Sequence, residues 1–216
     1  MSSPWWPLAG LRLRTPALEL RWPSQADLDA LAGLADAGLH DPAVQPFSVA
    51  WTDLPGPERA RSVLQWHWSA WAGWKPADWR LELAVVRDGE VVGAQGLAAR
   101  DFAVLREVNT GSWLGRRFQG QGTGTEMRAA VLHLAFAGLG AEQATSGAFD
   151  DNPASLGVSR KLGYHDDGVE RHVSRGQPAT IRRLRLTRAG WQAARSVPVQ
   201  IDGLETSRAF FGMAAD

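Results

Sequence analysis

Cysteine is absent from this 216-residue chain. Disulfides, a thiolate nucleophile and Cys-ligated zinc are thereby excluded, and a reducing compartment is compatible with that absence. Lysine is scarce: Lys75 and Lys161 stand within a Lys+Arg total of 23, so the positive charge is almost all arginine. Asp and Glu also total 23, giving a formal net charge of zero, and a neutral chain exerts no overall pull on nucleic acid or on an anionic membrane. Tyrosine occurs once, at Tyr164, so a tyrosine proton donor has a single position to occupy. No apolar run reaches the roughly 18 residues that a bilayer-spanning helix requires. Residues Met1 to Gly10 hold neither a basic segment nor a long apolar stretch, so no secretory signal is expected there, and the expected location is cytoplasmic.

What is present reads as globular. Hydrophobic residues make up 44% and charged residues 21%, enough apolar content for one sizeable core. The expectation is a single domain over residues 1–216, with an N-terminal extension (1–15) and a C-terminal extension (188–216). Leu18 to Trp22 alternates like a half-buried strand, and Ser24 with Asp27 marks a helix start for a helix ending near Gly38. A proline-rich loop from His40 to Pro57 precedes a Trp-rich helix from Glu58 to about Trp71. Leu81 to Val86 and Val91 to Leu97 flank Asp88-Gly89 and predict a hairpin. A strand over Arg106 to Leu114, a glycine-rich loop, a helix from Thr123 to Gly138 and a strand over Ala144 to Phe149 follow. Pro153 then opens a helix that ends at Gly163. Two strands, from Tyr164 onward and over Ile181 to Leu186, and a short helix over Arg188 to Arg195 complete the order, which implies a mixed sheet with helices on its faces.

The loop Gly115 to Gly124 carries the chemistry. Closely spaced glycines at a helix N-terminus aim several backbone N–H groups, and the positive end of the helix dipole, at one spot suited to a phosphate or diphosphate. A phosphate loop of the ATPase type requires Lys-Ser/Thr after its second glycine, and Gln121-Gly122 stands there instead. A dinucleotide fingerprint begun at Gly120 meets Thr125 where glycine or alanine belongs. The bland alternative is a glycine turn with no ligand.

Gln119-x-x-Gly122-x-Gly124 resembles the signature of the GNAT acyltransferase superfamily. Gly111-Ser112-Trp113-Leu114-Gly115 and Asn152 to Tyr164 resemble the corresponding segments of its Rim-type branch, which acylates ribosomal-protein N-termini and other amines. The stretch Trp113 to Gly120 also looks like an actinobacterial subgroup linked to succinyl-CoA. The resemblance implies an α/β (α+β) GNAT fold: a mixed, mostly antiparallel sheet of about seven strands, helices on both faces, and a splay between the fourth and fifth strands. It implies acyl-coenzyme A (acetyl-CoA or succinyl-CoA) as co-substrate, no metal, and an amine acceptor such as a protein N-terminus, a Lys or a small amine, attacked directly. By resemblance, backbone groups of Trp113 and Leu114 bond the pantetheine arm, and one of them serves as oxyanion donor. Gln119, Gly120, Gln121, Gly122, Thr123, Gly124 and Thr125 form the diphosphate loop, and Asn152 contacts the arm. Many members place a proton-donating Tyr where Ser159 stands here, so Ser155 is the expected acid. Glu107 is the expected base, with His172, His133 and Asp101 as rivals, and its loss is expected to slow the reaction about tenfold or more.

Other readings stay open beside this one. Ser155 alternatively serves only the helix start, and Glu107 alternatively faces solvent. Trp66, Trp68, Trp71 and Trp74 fit core anchors better than an acceptor wall. Arg116 and Arg117 fit either phosphate contact or solvent. A catalytically weak acyl-CoA sensor is the alternative function, and the Arg-rich strand Ile181 to Arg185 raises a nucleic-acid reading that the neutral charge opposes. The C-terminal apolar residues Phe210-Phe211 allow packing on the core or on a second copy, a possible homo-oligomer.

Overall fold

The computed structural model describes residues 3–213; Met1, Ser2 and Ala214 to Asp216, which belong to the two expected extensions, lie outside the described residues. The strands are β1 (Arg12–Arg14), β2 (Glu19–Arg21), β3 (Asp78–Arg87), β4 (Glu90–Arg100), β5 (Glu107–Leu114), β6 (Gln143–Phe149), β7 (His165–Ser174), β8 (Gln177–Thr187) and β9 (Gln200–Asp202). The helices are α1 (Gln25–Asp36), α2 (Gly56–Ala72), the single turn α3 (Phe102–Leu105), α4 (Thr123–His133), α5 (Pro153–Lys161) and α6 (Arg188–Ala194). All strands join one sheet in the order β7-β8-β6-β5-β4-β3-β2-β1-β9. Only β5 and β6 run parallel.

The sheet has nine strands and not about seven. The difference is β1 and β9, drawn from the two extensions and paired with each other through Arg12↔Asp202, Leu13↔Ile201 and Arg14↔Gln200.

Local chemistry accounts for the longer elements. Asp88 and Gly89 both adopt positive φ (52° and 80°), the turn that joins twisted strands in a two-residue hairpin. Ser24 and Asp27 form a reciprocal capping box at the start of α1. Asn152 accepts the Ser155 N–H, and Pro153 sits in the first turn of α5, where its missing donor costs nothing. Beyond α4 the chain makes one π turn, Leu134–Gly138, before Gly140 (φ 75°) leaves the helix.

Two apolar layers hold the helices to the sheet. On one face Met127, Val131 and Leu134 pack with Leu81, Leu83, Val85 and Val108. On the other, Leu31, Ala35 and Val63 cover Ala84 and Ala94. An aromatic corner ties the chain ends together: Trp22 stacks on Trp71 at 5.0 Å, Trp74 stacks on Trp79 at 5.9 Å, and Phe211 meets Trp79 edge-on at 4.9 Å. The Trp74 indole donates to the Phe210 carbonyl at 2.9 Å. Trp71 and Trp74 are therefore core anchors, and Phe210-Phe211 packs on its own chain, which accounts for the apolar content that raised the homo-oligomer expectation.

The feature that positions the site is a gap in the sheet. The β5–β6 ladder consists of Glu107↔Gln143, Val108↔Ala144 and Asn109↔Thr145. Beyond Asn109 the strands separate, and the Ser146 hydroxyl, donating to the Thr110 carbonyl at 3.4 Å, bridges the vertex. Residues Thr110 to Leu114 thus present an unpaired backbone edge to the gap.

Candidate functional site

The gap opens into a cleft of about 1140 Å³ lined by both diverging strands, the glycine loop and the first turn of α5. At its mouth Gly120 and Gly122 take positive φ (73° and 85°), which only glycine adopts without strain. Gly122 is the N-cap of α4. Among the described residues nothing accepts from the N–H groups of Gly120, Gln121, Gly122, Thr123 and Gly124. Several unspent donors at a helix N-terminus form an anion seat that needs no cationic side chain. The Thr125 N–H is not part of it, because it already donates to the Gly122 carbonyl at 3.0 Å; Thr125 remains in the cleft wall.

The side chains of the loop hold its shape. Gln119 Nε2 donates to the carbonyls of Leu39 (2.8 Å) and Leu114 (3.0 Å), tying the loop to β5 and to the end of the α1 segment. Gln121 Nε2 donates to the Arg117 carbonyl at 2.8 Å, and Arg87, which the sequence did not single out, donates to Gln121 Oε1 at 2.9 Å. The Gln119 and Gln121 amides are thus engaged within the protein as braces of the loop. Arg117 is drawn away into an ion pair with Glu90 and over the Phe118 ring. Arg116 keeps no side-chain partner among the described residues and lines the cleft.

Strand parity distributes the β5 backbone. Gly115 N–H donates to the Val92 carbonyl, and the register pairs Trp113 with Ala94 and Gly111 with Gly96. Alternation then turns Trp113 and Gly111 toward β4 and leaves Thr110, Ser112 and Leu114 facing the gap. Trp113 contributes its indole to the cleft wall, stacked obliquely on Trp51 at 5.9 Å, while its backbone belongs to the ladder. The backbone groups that face the gap are therefore those of Ser112 and Leu114, not those of Trp113.

On α5, Asn152 Oδ1 is occupied by the Ser155 N–H at 3.0 Å, leaving its Nδ2 with a marginal 3.5 Å contact to the Pro46 carbonyl. The Ser155 hydroxyl has no hydrogen bond among the described residues and lines the cleft beside Asn152.

Glu107 lies away from the cleft. It sits at the paired end of β5, bonded to Arg185 at 2.7 Å, and does not line the cleft. Five residues of strand separate it from Ser112, about 16 Å at the usual rise. Its face and strand are as expected, but the wrong end of the strand carries it. Glu107→Gln is accordingly expected to leave the turnover rate unchanged, whereas losing a true general base costs about 10²-fold or more. The rivals fare no better. His133 packs edge-on against Trp191 at 5.9 Å, and His172 Nε2 is engaged by the Ser48 carbonyl at 2.8 Å. Asp101 caps the α3 turn in the left-handed region, away from the cleft.

A different carboxylate, unmarked in the sequence, lies at the right level. Glu82 on β3 points across Gly96 of β4: a Cβ added at Gly96 would stand 3.0 Å from both Glu82 oxygens. Gly96 pairs with Gly111, which lines the cleft and has open space above it. Directly bonded antiparallel partners lie about 5.5 Å apart at Cα. Gly96 and Gly111 thus put no side chain between the Glu82 carboxylate and the cleft wall, although Glu82 itself does not line the cleft. Burial pushes that carboxyl up to about 7, against the Trp66 hydrogen bond and the nearby Arg80 charge, which both favour ionisation. Trp66 lies beside Glu82, half-exposed and beneath the Arg80 guanidinium.

Two of the three arginines of the Arg-rich strand are paired with carboxylates, and Arg183 donates to the Asp167 carbonyl. Arg182 pairs with Asp150 at 2.6 Å, and Arg185 with Asp167 at 2.9 Å and Glu107. No group of acidic, histidine or cysteine side chains suited to a metal occurs among the described residues.

With that geometry in place, the comparisons with known proteins converge. The family profile described as "Acetyltransferase (GNAT) domain" matches residues 17–165. Among solved structures, the chain is similar to Mycobacterium smegmatis RimJ in complex with CoA-disulfide, with a TM-score of 0.69 and 18% identity over 94% of this chain and 95% of that one. It is similar to a GCN5-related N-acetyltransferase from Brucella melitensis (TM-score 0.67, 18% identity, 85% of this chain and 81% of that one). It is also similar to RimL, a ribosomal L7/L12 alpha-N-protein acetyltransferase in complex with coenzyme A (TM-score 0.63, 20% identity, 80% of this chain and 95% of that one).

Proposed function

This chain belongs to the GNAT acetyltransferase family, and on that premise we propose that it moves an acetyl or succinyl group from coenzyme A to a primary amine by direct attack. The observation that carries the reading is the set of unspent N–H groups from Gly120 to Gly124 at the mouth of the β5–β6 gap. The diphosphate of the coenzyme is seated there, and its arm runs along the open edge of β5, meeting the backbone of Leu114 and Ser112 and the Asn152 amide. Structurally similar proteins, RimL and RimJ, are solved in complex with coenzyme A and CoA-disulfide, which supports the same assignment.

The reaction joins the amine nitrogen to the thioester carbon and breaks the carbon–sulfur bond. Glu82 accepts the proton that the attacking nitrogen must lose, directly or through one water over Gly96 and Gly111. The Ser112 N–H, aimed into the gap, donates to the oxyanion. The Ser155 hydroxyl stands at the coenzyme side as the hydrogen-bond donor to the leaving group. The acceptor enters from the α1–α2 face, where Glu82, Gly111 and Trp113 lie, while the coenzyme lies toward α4 and α5.

The test is release of free coenzyme A thiol from acetyl-CoA and from succinyl-CoA, each offered with N-terminal peptides, a lysine peptide and small polyamines. Thiol release that depends on the amine is expected with at least one donor, and the ratio of the two rates assigns the acyl group. Tight coenzyme binding with no release from any amine would instead make the chain a sensor of acyl-CoA.

A further inference from the structure

α4 carries a buried cation without a counter-charge. Arg128 is 5% exposed, and it lines the cleft. Its guanidinium donates to the hydroxyls of Ser159 at 2.9 Å and Ser112 at 3.4 Å. Its Nε is buried with no partner, and no carboxylate pairs with it among the described residues. Ser159 is itself fully buried and spends its own proton on the Ser155 carbonyl at 3.1 Å. Holding an unpaired guanidinium in such a place is unfavourable, so a ligand anion at its tip would be strongly favoured.

The position of the tip narrows the choice of anion. Arg128 leaves α4 one turn beyond Gly124, about 6 Å along the axis, and its end reaches Ser112. The diphosphate seat lies behind it, and the coenzyme's arm consists of neutral amides as far as the thioester. Ser112 is also the residue whose N–H faces the gap. A thioester carbonyl oxygen on that N–H brings its sulfur, one bond from the carbonyl carbon, to the neighbourhood of the guanidinium.

Resting on the acyl-CoA reading above, we propose that Arg128 stabilises the coenzyme's leaving thiolate and so acts as a catalytic residue of the transfer. As the carbon–sulfur bond breaks, its electron pair goes to sulfur. Arg128 keeps its proton and supplies charge, and the thiolate later takes a proton from solvent by way of the cleft. Burial lowers the guanidinium's own proton affinity, and the neighbouring Tyr164 ring partly opposes that. The other charged or titratable groups around the cleft are His40, Asp41, Arg116, Asp151 and Lys161, none of which bonds to Arg128.

The experiment compares the affinity of the full chain for coenzyme A and for its desulfo analogue between pH 6 and 9, calorimetrically, in the wild type, Arg128→Met and Arg128→Lys. In the wild type the preference for coenzyme A over desulfo-CoA is expected to grow about tenfold or more as pH rises, one pKa unit of thiol stabilisation being a factor of ten. Arg128→Met should bind desulfo-CoA as before and lose the preference, and Arg128→Lys should retain part of it. A wild-type preference that is flat with pH overturns the proposal whether or not the variants fold. So does a preference that survives in Arg128→Met. Loss in that variant of affinity for succinyl-CoA alone, with the thiol effect intact, also overturns it and makes the site a seat for an acyl carboxylate. Failure of the wild type to bind either coenzyme is a separate result, which removes the acyl-CoA reading itself and the proposal with it.

Discussion

Glu82→Gln is expected to slow amine acylation by about 10²-fold or more, the usual contribution of a positioned general base. The residue is placed for it: its carboxylate lies over Gly96, and Gly96 is bonded across to Gly111 at the lip of the gap. Its proton affinity is also suitable, because burial raises the carboxyl to about 7. The wild-type rate should therefore climb with pH through about 7 as Glu82 ionises, and that limb should vanish in the glutamine variant. Stability moves the opposite way. A carboxyl whose folded pKa lies above its ordinary value of 4.5 costs the folded state stability as pH rises from that value through about 7. At pH 8 the glutamine variant should melt above the wild type. A residue that merely supports the fold would lose activity and stability together, so the opposed signs separate the two roles. Full activity in Glu82→Gln, or a rate limb that persists there, contradicts the assignment.

Gly122→Val is expected to weaken coenzyme A binding by about 100-fold, on the basis that hydrogen bonds to charged groups contribute about 1.5–3 kcal/mol each. Gly122 sits at φ 85°, a region that a β-branched residue does not occupy without strain. Valine must either hold that strain or rotate away, and rotation swings the N–H groups of Gly122 and Thr123 off the diphosphate. No atom lies within 4 Å of the Cβ position, so the substitution meets open space and the fold should survive. Pantetheine, which lacks the diphosphate, serves as control: its affinity should hardly change. Equal weakening of both ligands, or undiminished coenzyme binding, would count against the anion seat.

Much of this was legible in the residues, and what was not has physical causes. Asp88-Gly89, the Ser24–Asp27 cap and Pro153 announce themselves because each fixes a backbone geometry locally, and the structure places a turn or a helix start at each. The glycine loop is equally local. β1 and β9 were hidden because their pairing joins opposite ends of the chain, which no local pattern announces. Glu82 reads in sequence as the polar member of the alternation Leu81-Glu82-Leu83, as a solvent-facing strand residue would. Its role depends on Gly96 and Gly111 lying beside it, which only the strand register reveals. Glu107 shows the converse. Its parity on β5 is right, yet the ladder closes at that end and Arg185 takes the carboxylate. Arg128 looks like a surface arginine of an amphipathic helix until α5 and β5 are seen to enclose it. Trp113 turns its backbone to β4, and only the register shows that Ser112 faces the gap.

The central claim is that an acyl-CoA lies along the β5 edge with its diphosphate on the Gly120–Gly124 donors. The most direct measurement is the amide spectrum of the isotopically labelled chain during titration with coenzyme A. The N–H signals of Gly120, Gln121, Gly122, Thr123 and Gly124 should move together and saturate, as should those of Ser112 and Leu114, while those of Trp113 and Gly111, committed to β4, should move least along β5. Saturable shifts that cluster elsewhere, or a loop whose signals stay fixed as coenzyme A binds, would contradict it.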